Sequence, residues 1–298
     1  MSRAAWGSTS SHMCRLLAYC SHQRVSVADV IGEQGFRDFT ALSAFHSDGW
    51  GVAWYNGGQV RTRRSPRRAA DDPLYDRLGH SRLSEAGLVH LRWATPGLPV
   101  GTRSSHPFRH DGHAMAHNGA IHPQDRLGDL LPPAWERRLT SGTDSERYFL
   151  HVMSQLAASG GDLCAAIAST VAHIRGQFRP NSLNAVFLAP DAVYAVSWHD
   201  PDNIPAAAIL RRGYTGPPEH VTGYFHLGYR VSDHCVVVAS SGWPQDGWVR
   251  LPNGSVLVID RATLNTRVEL LSRYRGSGLP GSPVCHQSTC GAATKTAA

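Results

Sequence analysis

The residue with the clearest chemical potential is Cys14, which directly follows Met13. If translation starts at Met13, removal of that methionine leaves a thiol and a free α-amine on the same residue. The reference pKa is roughly 8.5 for a thiol and roughly 7.7–8.0 for an α-amine. The amine can therefore act as the base that activates the thiol as a nucleophile. A buried structural thiol is the alternative interpretation of this position.

Four short stretches after Cys14 combine polar or charged side chains with turns, and three of them offer candidate site residues. Arg92 lies in a predicted apolar strand, where an arginine is costly unless it is paired. In one interpretation its side chain faces solvent or pairs with a structural carboxylate. In the other it binds a substrate carboxylate through two hydrogen bonds. Asn118 and Gly119 form either a simple turn or an oxyanion hole, in which a glycine lets the backbone approach closely. Asp144 either begins a helix or binds a substrate ammonium group. The stretches concerned are residues 46–51, 90–97, 117–119 and 143–146.

The sequence contains no motif that predicts a metal ion or an organic cofactor. Four histidines, His106, His110, His113 and His117, lie close together in the chain. They span a predicted loop and strand, however, and their spacing differs from the helix-face and knuckle spacings that zinc ligands favour. Glycine motifs that cradle phosphate are absent. We therefore expect neither a metal nor a cofactor.

The elements that must position these residues follow the order strands, helix pair, strands. Strands are predicted at residues 15–20, 88–95 and 113–117, a mostly helical segment at 25–45, and two amphipathic helices at 143–157 and 163–174. Residues 97–112 are predicted to form a polar loop. Strands return from residue 183, and hairpins are predicted over residues 52–61 and 248–259, each at an Asn-Gly turn. This order predicts an α+β fold with largely antiparallel sheets.

Composition narrows the class of protein. The 298 residues are 42% hydrophobic and 17% charged, which is typical of a globular chain. No run of about 18 apolar residues predicts a membrane span, and residues 1–12 lack the apolar centre of a secretory signal. Six cysteines without a CxxC pair indicate reduced thiols and a cytoplasmic location. Much of the net charge of +6 comes from residues 61–68, which we interpret as a solvated loop, so nucleic acid is a disfavoured partner.

Taken together and in this order, the stretches resemble the class II, or N-terminal-nucleophile (Ntn), glutamine amidotransferases over roughly residues 14–259. The sequence is most similar to the small stand-alone members, whose hallmarks stand here as CRLL at residues 14–17, DGWG at 48–51 and WVRLPNG at 248–254. The resemblance implies a four-layer αββα Ntn-hydrolase sandwich with two antiparallel sheets. We place the amidotransferase domain at residues 14–275, after a leader at 1–13 that is removed or reflects an upstream start. Residues 276–298, rich in small and polar residues, are expected to be a disordered tail.

The resemblance also implies roles for single residues. Cys14 attacks the γ-amide of glutamine, which gives a γ-glutamyl thioester and ammonia, and water then releases glutamate. Asn118 and Gly119 form the oxyanion hole, Arg92 holds the α-carboxylate, and Asp144 receives the α-ammonium group. The residues that line or support the pocket are Trp93, Thr95 and His106. Pro96 departs from the polar residue that many relatives carry there, so that wall of the pocket differs.

Three functions remain open at this stage. The first is a glutaminase that passes ammonia to a separate synthetase subunit, since no acceptor domain is evident. The second is a stand-alone γ-glutamyl amidase acting on an ergothioneine- or glutathione-type conjugate. In that case the basic residues 61–68 and the aromatic Trp50, Trp54 and Trp93 are candidates for shaping the site of the leaving half. The third is a non-catalytic interaction protein. We expect no membrane partner.

Overall fold

The computed structural model describes residues 14–94, 101–211, 214 and 218–274. Within these ranges the strands are β1 (Arg15–Val25), β2 (Trp50–Asn56), β3 (Gln59–Ser65), β4 (Ser84–Leu91), β5 (Phe108–His110), β6 (His113–Asn118), β7 (Ile121–His122), β8 (Arg179–Pro180), β9 (Asn184–Leu188), β10 (Ala192–Ser197), β11 (Leu227–Val231), β12 (Cys235–Ser240), β13 (Val249–Arg250), β14 (Ser255–Asp260) and β15 (Thr266–Leu270). The helices are α1 (Val27–Ala41), α2 (Pro73–Gly79), α3 (Pro133–Glu136), α4 (Asp144–Ala158), α5 (Leu163–Gln177), α6 (Ala206–Arg211) and α7 (Pro218–Thr222). None of the helices in the described ranges is long and apolar enough to cross a bilayer.

The strands form two large antiparallel sheets. Sheet A has the order β13-β11-β12-β1-β4-β2-β3, and sheet B has the order β15-β14-β10-β9-β6-β5. A small third sheet pairs β7 with β8. In sheet A the first strand of the described chain, β1, lies between β12 and β4. The start of β1 is therefore fixed by strands on both sides.

The alternation of side chains along β1 shows how the layers are built. Leu16, Ala18 and Cys20 lie in a cluster shared by the inner faces of both sheets. Leu17 and Tyr19 point to the opposite face, where they pack with α1 and α2. This period of two is the expected pattern for a strand that is buried on both faces. Helices α4 and α5 cover the outer face of sheet B. The result is the predicted αββα order, so the predicted fold class is confirmed.

Local sequence accounts for the ends of the main helices. Ser26 caps α1 in a capping box with Asp29, and Gly32 at φ 77° interrupts that helix. Thr143 caps α4 by accepting a hydrogen bond from the backbone of Glu146. Asp162 caps α5. The helix start at Thr143 is important for the site, because it fixes where Asp144 lies.

Several sequence predictions differ from the structure. The helical segment predicted at 25–45 begins at Val27 and its α-helical part ends at Ala41, because β1 continues to Val25. The strand predicted at 88–95 ends at Leu91, so Arg92 lies outside it. Residues 61–65 of the predicted basic loop belong to β3, the edge strand of sheet A. Within the predicted loop at 97–112, residues 108–110 form strand β5.

The hairpin predicted over residues 248–259 is wrong. Its first strand, β13, pairs with β11 in sheet A, and its second, β14, pairs with β10 and β15 in sheet B. Asn253 nevertheless makes the turn: its amide receives one hydrogen bond from the backbone of His199 and donates one back to it. The Asn-Gly signal is local, whereas strand pairing depends on distant residues. The predicted leader at 1–13 and tail at 276–298 lie outside the described residues.

Candidate active site

The candidate site lies where the two sheets meet at one end of the sandwich. Cys14 directly precedes β1. Because Arg15 pairs with Leu91, the last residue of β4, Cys14 lies beside Arg92, which follows that strand. Asn118 ends β6 of sheet B. The described residues around this space, which we call the Cys14 cavity, are Cys14, Arg92, Trp93, Ser104, His106, His117, Gly119, Thr143, Asp144 and Ser145. Four segments distant in sequence therefore converge on the predicted nucleophile.

Cys14 is buried and joined to the opposite sheet. Its backbone nitrogen donates a hydrogen bond of 2.8 Å to Asn118 Oδ1, and its Sγ lies 3.9 Å from the carbonyl oxygen of Trp93. Burial raises the pKa of the thiol to about 12, although Trp93 and the Arg92 guanidinium act in the opposite direction. A thiol so weakly acidic needs a base at the moment of reaction. The nearest candidate is its own nitrogen, which is an α-amine only in a chain that begins at Cys14.

The predicted oxyanion residues Asn118 and Gly119 lie beside Cys14 in the structure. The Asn118 Nδ2 donor is buried and has no hydrogen-bond partner among the described residues, although the Oδ1 of the same amide is engaged by Cys14. A buried donor without a partner is uncommon and often has a functional explanation. At Gly119 an added Cβ would lie 2.0 Å from the carbonyl oxygen of Ser182. Only glycine fits this close approach of two backbones.

Two opposite charges flank the thiol. Arg92 and Asp144 are each 4% exposed, and the Arg92 charge lowers the pKa of Cys14 whereas the Asp144 charge raises it. Asp144 Oδ2 accepts a hydrogen bond of 3.1 Å from the backbone of Ile121. Its Oδ1 accepts from the backbone of Ser145 at 2.8 Å and faces the Ser145 hydroxyl at 3.3 Å. Both predicted substrate-recognition charges thus lie at the same cavity.

The DGWG turn holds the segment that carries Arg92. The backbone of Arg92 donates to Gly49 O at 2.8 Å and accepts from the backbone of Asp48 at 3.1 Å. The Asp48 carboxylate accepts a hydrogen bond of 2.8 Å from the backbone of Ala94. Burial lowers the pKa of Arg92, while Cys14 and Asp48 counteract this. The sequence identified the turn but not this positioning role of Asp48.

His117 and Glu146 support the α4 side of the cavity. His117 Nε2 lies 3.1 Å from Ser182 O, a pure acceptor, so Nε2 carries the proton of the neutral ring. Its Nδ1 then accepts from the Ser145 hydroxyl at 2.9 Å. Glu146 accepts five hydrogen bonds from residues 140–142, which hold its pKa below the ordinary value in spite of burial. The sequence analysis missed both roles, since they depend on backbone partners.

Two of the three other predicted pocket residues lie at the cavity. Trp93 and His106 line the cavity, and the His106 ring lies 4.3 Å from that of His90. Burial, with the nearby Arg92, lowers the pKa of His90 to about 3, so this ring is neutral at physiological pH. Thr95 lies outside the described residues. No group of metal-ligating side chains occurs in the part of the chain that the structure describes.

The Cys14 cavity is small, about 20 Å³, which is enough for about one water molecule. The chemistry of the cavity is that of acyl transfer: a thiol beside its own nitrogen, a buried amide donor, and one fixed charge of each sign.

Comparison with known proteins agrees with this chemistry. The sequence pattern of the glutamine amidotransferases class II matches residues 13–198. This span covers more than half of the chain, so the chain belongs to the class II glutamine amidotransferases, which are enzymes.

Particular relatives differ in how much of their length is matched. Gamma-glutamyl-hercynylcysteine sulfoxide hydrolase of Mycobacterium tuberculosis is 29% identical over 210 residues, 67% of this chain and 81% of that protein. A glutamine–fructose-6-phosphate aminotransferase of Rhizobium leguminosarum is 28% identical over 169 residues, 56% of this chain but only 26% of that protein. A glutamine aminotransferase class-II domain protein from Silicibacter pomeroyi shares the fold, with a TM-score of 0.57, 19% identity, and coverage of 87% of this chain and 99% of that one.

Proposed function

We propose that the mature chain begins at Cys14 and hydrolyses the γ-amide of glutamine or of a γ-glutamyl compound. The observation that carries this proposal is the Asn118 amide. Its Oδ1 accepts from the Cys14 nitrogen, while its Nδ2 stays buried and without a partner among the described residues. One side chain thereby orients the base and keeps a donor for the oxyanion.

The reaction proceeds in two halves. The α-amine of Cys14 takes the thiol proton, and the thiolate attacks the γ-carbonyl carbon of the substrate. The tetrahedral oxyanion receives hydrogen bonds from Asn118 Nδ2 and the Gly119 N–H. The C–N bond then breaks, and the leaving nitrogen takes its proton from the α-ammonium group. Water, deprotonated by the same amine, attacks the γ-glutamyl thioester and releases glutamate and the free thiol.

Recognition of the γ-glutamyl half needs one fixed cation and one fixed anion. Arg92 suits the α-carboxylate because a guanidinium presents parallel donors. Asp144 suits the α-ammonium group: its two oxygens offer about four acceptor positions, of which the contacts with Ile121 and Ser145 occupy at most three. Trp93 and His106 form the walls. We extend the pocket to Thr95 by resemblance alone.

Glutamine is the substrate of the family and the first candidate here. In this version ammonia passes to a separate synthetase subunit. The aminotransferase relative supports it, because the matched region makes up only 26% of that longer protein. The free thiols of Cys14, Cys20, Cys164 and Cys235 support the proposed cytoplasmic location.

Hydrolysis of a γ-glutamyl conjugate is the second candidate. The observation that favours it is coverage: the match spans 81% of the hercynylcysteine sulfoxide hydrolase. That relative needs no further domain of the size found in the aminotransferases. Both candidates use the same residues around Cys14 and differ only in the leaving amine.

The decisive experiment is the intact mass of the purified protein before and after 6-diazo-5-oxo-norleucine, together with glutamate release from glutamine. We expect a chain that starts at Cys14 and carries one adduct, and no adduct on Cys14→Ala. Cys235→Ser, which changes a thiol of β12 far from the cavity lining, is the matched control and should react like the wild type. An unprocessed chain that takes no adduct would favour the non-catalytic interaction protein.

A further inference from the structure

A second, larger depression lies near the Cys14 cavity, outside the proposed catalytic site. This outer groove has a volume of about 770 Å³ and runs between the end of α1 and residues 241–246, with Tyr214 on one wall. The Cys14 cavity, at about 20 Å³, has no room for more than a small part of a conjugate. The outer groove is of the size that holds a small molecule.

A narrow inner cavity of about 20 Å³ lies between the outer groove and the Cys14 cavity. Phe45, Tyr214 and Gly242 belong to the linings of both the outer groove and the inner cavity. Trp93 in turn lines both the inner cavity and the Cys14 cavity. The three spaces thus form one series from the surface to Cys14. The Trp93 side chain is the wall between the Cys14 cavity and the inner cavity, so a leaving group that extends past Trp93 is directed towards the outer groove.

The charges along this series change sign. Arg15 lines the inner cavity and is 4% exposed, with its guanidinium carbon 3.8 Å from the centre of the Tyr224 ring. At the outer end, the carboxylates of Asp38 and Asp246 border the groove. A positive group would therefore be repelled near the scissile bond and attracted at the far end of the groove.

Aromatic rings line the outer groove, from its junction with the inner cavity outwards. The rings of Phe45 and Tyr214 lie 5.5 Å apart and are tilted by 58°, and Trp243 forms another wall. Aromatic faces attract organic cations, and neighbouring carboxylates add to that attraction. Aromatic rings together with carboxylates are a poor environment for an anionic head group.

We propose that the outer groove binds the leaving half of a γ-glutamyl amide, and that this amine carries a positively charged nitrogen at its end remote from the scissile bond. The inference rests on the proposed hydrolysis of γ-glutamyl conjugates and names the chemical class of the leaving amine. The basic residues 61–68 are not among the described residues that line the groove. This proposal therefore assigns the leaving half to a different surface from residues 61–68.

The test uses the mature chain and four substrates: glutamine and three conjugates with matched four-carbon leaving groups. These are γ-glutamyl-putrescine, which is cationic, γ-glutamyl-butylamide, which is neutral, and γ-glutamyl-4-aminobutyrate, which is anionic. We expect kcat/KM for the putrescine conjugate to exceed that for the butylamide roughly three- to tenfold, and the aminobutyrate conjugate to be the slowest of the three. Shortening putrescine to ethylenediamine should remove the preference, because the charge then lies nearer to Arg15.

Variants connect the preference to the groove. In the double variant Asp38→Asn, Asp246→Asn the ratio of putrescine to butylamide kcat/KM should fall towards one. Asp233→Asn, in the turn between β11 and β12, is the matched control and should keep the wild-type ratio. Glutamine hydrolysis without any preference for the cationic conjugate would overturn this inference alone. A mature chain that cleaves none of the four substrates would overturn the proposed function, and this inference with it.

Discussion

The Cys14 cavity and the outer groove are separated by Trp93 and the inner cavity, and they differ in physical character. The cavity is closed and polar, and its side chains are held by hydrogen bonds to backbone, as for Asp144 and Glu146. The groove is open and is walled by aromatic rings with carboxylates at its border. A rigid polar cavity suits a part of the substrate that never changes. An open aromatic groove suits a part that defines specificity.

This contrast divides the proposed substrate in two. If it is correct, changes in the cavity should lower the rate for every γ-glutamyl substrate by a similar factor. Changes in the groove should instead alter the ranking of leaving amines. The predictions below test that division, beginning with the largest expected effect.

Among these variants, removal of the Asn118 donor should lower activity the most. Asn118→Asp keeps an oxygen that can accept from the Cys14 nitrogen but lacks the Nδ2 donor. We expect kcat to fall by about 10²–10³, as for the loss of one oxyanion donor. The measurement is glutamate release from glutamine and from γ-glutamyl-butylamide. If the two substrates lose activity by clearly different factors, the donor does not act on the shared γ-carbonyl.

Neutralising the predicted ammonium partner should have the next largest effect. Asp144→Asn removes the negative charge and can keep only one of the two backbone contacts with Ile121 and Ser145, so we expect kcat/KM to fall about 10- to 100-fold, mainly through KM. A substrate analogue without the α-amino group, glutaric acid monoamide, provides the control. The wild type should use it as poorly as the variant does, and the variant should show little further loss. A full additional loss on the analogue would contradict the assignment.

The sequence predicted the residues that carry the chemistry of the cavity better than the residues that hold them in place. Cys14, Arg92, Asn118, Gly119 and Asp144 lie in short motifs, and the structure brings all five together. The supporting contacts made by Asp48, His117 and Glu146 go mainly to backbone atoms of other segments, and no local pattern encodes such partners. For the same reason the hairpin at 248–259 was wrong although its turn was right. The groove was not predicted, because its walls come from segments distant in the sequence.

Glu146 tests the rigidity of the cavity through stability and pH. Because the folded-state pKa of this carboxyl is lowered, its stabilising contribution is complete above the unfolded value of roughly 4.3 and is lost as pH falls through the folded value. Glu146→Gln should lower Tm by several degrees at pH 7, and less so at pH 3. Glu136→Gln is the matched control, since its partner Arg147 at 3.3 Å forms an ion pair in which Glu136 is 48% exposed. An equal Tm loss at both pH values would show that the charge of Glu146 is not what stabilises residues 140–142.

The smallest expected effect concerns two neighbouring arginines of β3, the edge strand of sheet A. Arg64 donates a hydrogen bond of 3.0 Å to Ser105 O, between the wall residues Ser104 and His106. Arg63, its neighbour on β3, is exposed, and within the described part of the chain its guanidinium donates only to the adjacent Thr62 O, at 3.5 Å. Arg64→Gln should therefore raise KM for glutamine about three- to tenfold, in line with the loss of one charge-assisted hydrogen bond. Arg63→Gln should leave KM unchanged, because it is a surface change without a structural partner across the sheet. If both variants raised KM equally, the net charge of β3 rather than the Ser105 contact would be responsible. The cavity would then depend on surface charge, contrary to the contrast drawn with the groove.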